Sequence, residues 1–164
     1  MADGPHIYHP ESRHIPELAD LMAGWKPGKT ASLGPQTPNL PVTVAELDGR
    51  LVGFLTGHHR FRDWNALVDL RHLAGTDGSW LAELFVHRER RRTGIGAALV
   101  RHFVGESIAA GCSAVVVRPD ASDTVEEQEV RKAFFLELGF RPLHLDPTIR
   151  FLPDWLMGRP NDLG

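Results

Sequence analysis

The clearest pattern along the chain is a pair of apolar, β-branched runs, "VTVAEL" and "LVGFLTGHH", on either side of Asp48-Gly49. Two such runs around an Asp-Gly pair predict an antiparallel hairpin, because both residues tolerate the positive φ of a tight two-residue turn. Upstream, "HIYH" reads as a short first strand, and Ile15, Leu18, Leu21 and Met22 recur at helical spacing within "ESRHIPELADLMAG". Pro16 falls in the first turn of that helix, where it is tolerated, and Gly24 ends it. Residues 25–41, "WKPGKTASLGPQTPNLP", carry the prolines and glycines of an irregular loop. After the hairpin, "ALVDLRHLA" is a third apolar run and a candidate to extend the sheet, and "WLAELFVH", residues 80–87, is a further strand.

Leu99, Val100, Phe103, Val104 and Ile108 form one apolar stripe, which predicts a helix from about Gly94 to a left-handed stop at Gly111. "SAVVVRP" is then nearly continuous apolar sequence, as expected of a strand covered on both faces, and the helical crossover makes it parallel to residues 80–87. Asp123 or Thr124 can cap a next helix with Glu126 or Glu127 three residues on, and Val130, Ala133, Phe134 and Leu138 form its expected buried stripe before Gly139. "RPLHL" and "TIRFL" read as two closing strands. The chain of 164 residues is read as a single domain, 1–164, of α/β class with a mixed sheet and no internal repeat.

Composition changes this picture mainly by exclusion. A formal net charge of −3 makes the basic run from Arg88 to Arg92 a local feature rather than part of a nucleic-acid-binding surface. One cysteine, Cys112, excludes an internal disulfide and a multi-cysteine zinc site. It reads as a small buried residue, and the nine histidines give no metal-ligand spacing, so no metal is expected. The N-terminus lacks the charged-then-apolar order of a signal peptide and no run of 18 apolar residues occurs, so the expectation is a cytoplasmic protein with no membrane span.

The chemistry concentrates at the junction "FVHRERRRTGIGAALV". A helix N-terminus presents amides without intrahelical partners and a partial positive charge, so an oxyanion there satisfies both. Gly94 and Gly96 let phosphate oxygens approach the backbone, and Arg91 and Arg92 add charge. A dinucleotide fingerprint needs a third glycine where Leu99 stands, and a Walker loop needs Gly-Lys-Ser or Gly-Lys-Thr, which is absent. Two readings stand on these residues alone: a cradle for a polyanionic ligand, and a solvated basic loop.

Arg91-Arg92-Thr93-Gly94-Ile95-Gly96 resembles the acetyl-CoA motif of the GNAT superfamily of N-acetyltransferases, Arg or Gln, two residues, Gly, one residue, Gly or Ala. The "VAELDGRLVGF" hairpin, the strand "LAELFV" directly before the loop and "FFLELGF" downstream, similar to the family's "FYEKLGF", follow in the family's order. The resemblance implies a GNAT fold. This is a mixed, mainly antiparallel twisted sheet of six to seven strands flanked by helices, with the strands at residues 80–87 and 114–118 parallel and splayed apart at an acyl-CoA site.

It further implies an acetyl-CoA-dependent N-acetyltransferase acting on the primary amine of a small molecule, such as a polyamine, an aminoglycoside or an amino-acid-like amine. Backbone groups of Phe85 and Val86, freed by a bulge, are expected to pair with the pantetheine amides. The amides of Arg91, Arg92, Thr93, Gly94, Ile95, Gly96 and Ala97 are expected to hold the pyrophosphate, and Phe135 occupies the position of the family's frequent tyrosine in the downstream motif. That tyrosine protonates the leaving thiolate, so Phe135 lacks the hydroxyl, and a noncatalytic acyl-CoA-binding or sensing module is the alternative. The chain's one tyrosine, Tyr8, lies in the first strand. Glu83, set in an apolar strand on the face of Leu81 and Phe85, is the expected base for deprotonating the amine, with His58 or His59 as alternates. A homodimer is a family expectation.

Overall fold

The computed structural model describes residues 3–24, 41–64, 77–117, 125–142 and 157–161, with the side chains of Gln128, Pro142 and Met157 excepted. Among the described residues there are seven strands: β1 (His6–Tyr8), β2 (Val42–Leu47), β3 (Arg50–Phe61), β4 (Gly78–Val86), β5 (Ala114–Val117), β6 (Arg141–Pro142) and β7 (Met157–Pro160). Helix α1 (Ile15–Ala23) follows β1, α2 (Ile95–Ala109) joins β4 to β5, and α3 (Val125–Glu137) precedes β6. The strand order is β1-β2-β3-β4-β5-β7-β6. The β1–β2, β2–β3, β5–β7 and β6–β7 pairs are antiparallel, and β4–β5 is parallel, the orientation that a helical crossover permits. Two compact units can be told apart, one of Met1–His58 with Ala82–Phe103 and one of His59–Leu81 with Val104–Gly164.

In the first unit, Asp48 and Gly49 take φ of 53° and 76° and close the hairpin, pairing Leu47 with Arg50. A register shift between Ala45 and Glu46 interrupts the β2 side of that ladder. Residues 51–57 of β3 are all buried, which requires cover on both faces. On one face Leu18, Leu21 and Met22 of α1 pack with Val44, Leu51, Phe54 and Phe85. On the other, a Cβ added at Gly53 would lie 2.9 Å from the Phe85 carbonyl oxygen and 3.2 Å from Leu99 of α2, so the helix approaches β3 at a residue without a side chain. Of the expected α2 stripe, Leu99, Val100, Phe103 and Val104 are buried, while Ile108 is 38% exposed.

In the second unit, Gly78 to Leu81 pair with Ala114 to Val117, and β5 is flanked on its other edge by β7. Gly111 has φ 78°, the left-handed stop expected for α2. Cys112 is fully buried. Trp64, also fully buried, meets Phe61 edge-on at 4.6 Å between ring centroids and Trp80 at 6.2 Å.

One expectation needs correction here, and one strand was not foreseen. Helix α3 does not bury Val130, Ala133, Phe134 and Leu138 together: Val130 is 60% exposed, Ala133 is exposed, and Phe135 is the buried residue, packed edge-on against Phe134 and Phe140. The partner of β5 is Met157–Pro160, whose sequence has neither alternation nor β-branched residues; an open strand edge pairs with backbone, which carries no side-chain signal. "TIRFL", "ALVDLRHLA", the loop at 25–40 and the Asp123 or Thr124 cap lie outside the described residues.

Candidate active site

The end of β4 and the start of α2 form one continuous segment in the first unit. After Val86 the chain makes a single 3-10 turn over Arg88–Arg90, in which the His87 side chain accepts from the Glu89 amide. Arg91 then takes φ −69°, Arg92 φ 63° and Gly94 φ 85°. Residues of opposite-handed φ in succession turn peptide N–H groups toward one side and make a concavity suited to an anion. Thr93 closes the turn by donating its hydroxyl to the Arg90 carbonyl. The Ala98 amide donates to the Gly94 carbonyl at 3.0 Å, the first bond of α2, so the amides of Ile95, Gly96 and Ala97 lie in the turn that a helix leaves without internal acceptors.

Residues 91–94 are exposed, and Ile95 is buried beneath them. Its side chain anchors the helix start while its amide stays in the turn above. The helix dipole and the arginines give this surface a positive sign. These residues therefore suit a diphosphate, the charged part of coenzyme A. Arg91 lies back over β4: its Nε donates to the Val86 carbonyl at 3.1 Å and its guanidinium carbon is 5.7 Å from the Phe85 ring centre. Arg90 stands 4.0 Å from Asp48 across an exposed pair, which contributes little to stability.

Glu83 shares the strand face of Leu81 and Phe85, which are 1% and 7% exposed, but is itself half-buried. Its Oε1 accepts a hydrogen bond from Thr56 Oγ1 at 3.1 Å. The carboxylate is thus held by a buried hydroxyl of β3 rather than enclosed by apolar side chains alone. Thr56 was not foreseen from the sequence, since which β4 residue meets it depends on the connection between the strands.

Further along the same two strands, His59 Nδ1 lies 2.7 Å from Ser79 Oγ. The parallel β4–β5 pairing is described from Gly78 to Leu81, and the expected splay involves residues from Arg118 onward, outside the described residues.

Phe135 is a buried aromatic of the second unit. The phenol of Tyr8 is in the first unit, donating to Glu46 Oε2, with His14 Nε2 3.4 Å away. Burial, then the hydrogen bond to Glu46 and its charge, push Tyr8 up to about 12. Its proton is held within the β1–β2 edge. His58 and His59 are half-buried at the end of β3. Among the described residues no group of three or more histidine, cysteine or acidic side chains could hold a metal ion, and no helix is long and apolar enough to cross a membrane.

Comparison with known proteins accords with this geometry. An aminoglycoside 6'-acetyltransferase type Ii superposes with a TM-score of 0.66 at 19% identity, covering 96% of this chain and 97% of its own. An aminoglycoside 6'-N-acetyltransferase complexed with coenzyme A gives 0.63 at 19% identity, with the same coverage. The ribosomal-protein-S18-alanine N-acetyltransferase from Escherichia coli gives 0.63 at 16%, covering 98% of this chain and 96% of its own. No curated protein matches the sequence significantly. At such identities the structures establish the fold. The Acetyltransferase (GNAT) family pattern, however, matches residues 8–140, from β1 through the turn at residues 91–94 and α3 to Phe140, so that the strand, turn and helix described above fall within it and the chain belongs to the GNAT acetyltransferase family.

Proposed function

We propose that the protein is an acetyl-CoA-dependent N-acetyltransferase acting on the primary amine of a small molecule by direct attack while both substrates are bound. The observation that carries this reading is the continuity, in one unit, of half-buried Glu83 on β4 with the exposed turn and α2 start at residues 91–97. In this reading the amides of that turn bind the diphosphate, Arg91 and Arg92 add charge, and backbone groups of Phe85 and Val86 face the pantetheine amides. Glu83 removes a proton from the ammonium so that the nitrogen lone pair can attack the thioester carbonyl. A carbon–nitrogen bond forms and the carbon–sulfur bond breaks. Overall, R–NH3+ and acetyl-CoA give R–NH–acetyl, CoA–SH and H+, and with Phe135 in place of a tyrosine the thiolate takes its proton from water.

Aminoglycosides, polyamines and amino-acid-like amines are the substrate classes to test first. Two structural neighbours are aminoglycoside acetyltransferases, and the exposed Glu126 and Glu127 at the start of α3 favour a cation. The test is thiol release from acetyl-CoA with kanamycin, spermidine and glycinamide. Turnover of one of them by the native chain, and its loss in Glu83→Gln, is the expected result. Turnover unaffected by Glu83→Gln removes Glu83 as the base. The missing hydroxyl at Phe135 favours a second reading, a noncatalytic acyl-CoA-binding module, which calorimetric CoA binding without turnover of any amine would support.

A further inference from the structure

We propose that Thr56 is a positioning residue for Glu83; this rests on the reading of Glu83 as the base. A glutamate on a strand swings through three side-chain torsions, and a base is effective only within hydrogen-bond reach of the proton it takes. Thr56 supplies what the strand itself does not. It lies in β3, pairs across from Val42 of β2, and is 0% exposed. A β-branched residue in a packed strand has little freedom about its first torsion, so the hydroxyl is fixed in direction before any substrate arrives. It donates to Glu83 Oε1 at 3.1 Å.

A carboxylate has about four acceptor directions, so the bond from Thr56 restrains one oxygen without using up the group's capacity to accept a proton. The donor also has a reason to stay where it is, since a buried hydroxyl without an acceptor is unfavourable. Preorganisation of this kind acts on the rate rather than on the affinity for acetyl-CoA, because Thr56 contacts the base and not the cosubstrate.

The experiment compares the native chain with Thr56→Val, which keeps the branched shape and removes the donor, and Thr56→Ser, which keeps the donor. The first readout needs no substrate. In 13C relaxation of the Glu83 side chain, assigned by its absence from Glu83→Gln, Thr56→Val gains mobility and Thr56→Ser does not. The second is thiol release with acetyl-CoA and kanamycin, spermidine or glycinamide. Thr56→Val lowers kcat about tenfold with KM for acetyl-CoA within about twofold, Thr56→Ser restores kcat, and Thr56→Val adds nothing in a Glu83→Gln background.

Unchanged order at Glu83 in Thr56→Val, or a serine variant as impaired as the valine one, overturns the proposal. If none of the three amines is acetylated, the functional reading above is what fails, while the relaxation readout still decides whether Thr56 holds Glu83.

Discussion

Strands β3 and β4 carry two polar pairs, Thr56 with Glu83 and His59 with Ser79, and the pairs differ in what lies behind them. Behind Ser79 the polar chain continues inward: its Oγ is 2.6 Å from Ser107 Oγ, which accepts from Asn161 Nδ2 at 2.9 Å. Asn161 also donates to the Cys112 carbonyl at 3.0 Å, and because that carbonyl can only accept, it fixes which end of the amide faces inward. Ser79 and Ser107 are 0% exposed and Asn161 8%. The chain ties α2, β4 and the end of β7 together, and its hydroxyls are sealed from substrate. Glu83 is half-buried, and the buried Thr56 hydroxyl donates to it. Similar polar chemistry forms a clasp in the sealed case and, in the proposed function, supplies the base in the accessible one.

That contrast can be broken by experiment, and the largest effect is expected at Glu83. Glu83→Gln should lower kcat by roughly 10²–10⁴-fold, the usual worth of a general base, with an almost unchanged melting temperature. A variant that instead unfolds at lower temperature and keeps its turnover would make Glu83 the clasp. Asn161→Ala should do the reverse. Leaving Ser107 Oγ and the Cys112 carbonyl without their donor costs about 1–3 kcal/mol in denaturant unfolding, with turnover preserved in the folded fraction. Activity lost without loss of stability would mean that the sealed chain takes part in the chemistry.

The glycines of the α2 segment separate site from scaffold more finely. Gly94 has φ 85°, so Gly94→Ala strains the turn by roughly 1–2 kcal/mol and should weaken calorimetric CoA binding about fivefold or more. Gly105, inside α2 with nothing within 4 Å of an added Cβ, should respond with the opposite sign: Gly105→Ala stabilises by about 0.5–1 kcal/mol and leaves CoA binding alone. Equal effects at the two positions would deny the turn any special role.

The smallest effect is at the β1 edge. Absorbance titration of the chain's single tyrosine should centre at about 12 rather than 10.0, and Glu46→Gln should lower it. Because the folded value is raised, this contribution to stability is complete below pH 10.0 and is lost as pH rises through about 12. A midpoint unmoved by Glu46→Gln would leave desolvation, with the smaller effect of the Glu17 charge, as the cause.

Legibility in the sequence followed the range of the interactions. The hairpin at Asp48-Gly49, α1 with Leu18, Leu21 and Met22 inward, and the left-handed stop at Gly111 could all be read directly, since each depends on residues within a few positions. So could the turn before α2, because the positive φ at Gly94 and the first amides of α2 are local. The face of α3 was misread: Val130 and Ala133 are exposed and Phe135 is buried, for a helix has an apolar stripe in sequence whether or not anything covers it. β7 gave no signal at Met157–Pro160, where pairing uses backbone alone.

By itself, then, the amino-acid order determined most of the described elements, the turn before α2, and the presence of a carboxylate inside an apolar strand. Only the tertiary structure decided that Glu83 meets Thr56 while Ser79 meets His59, Ser107 and Asn161. Those partners lie 20 to 54 positions apart, so no local periodicity encodes them. Strand register and the placement of α2 bring them within hydrogen-bond reach, and both are set by burial of the whole apolar surface rather than by any one residue.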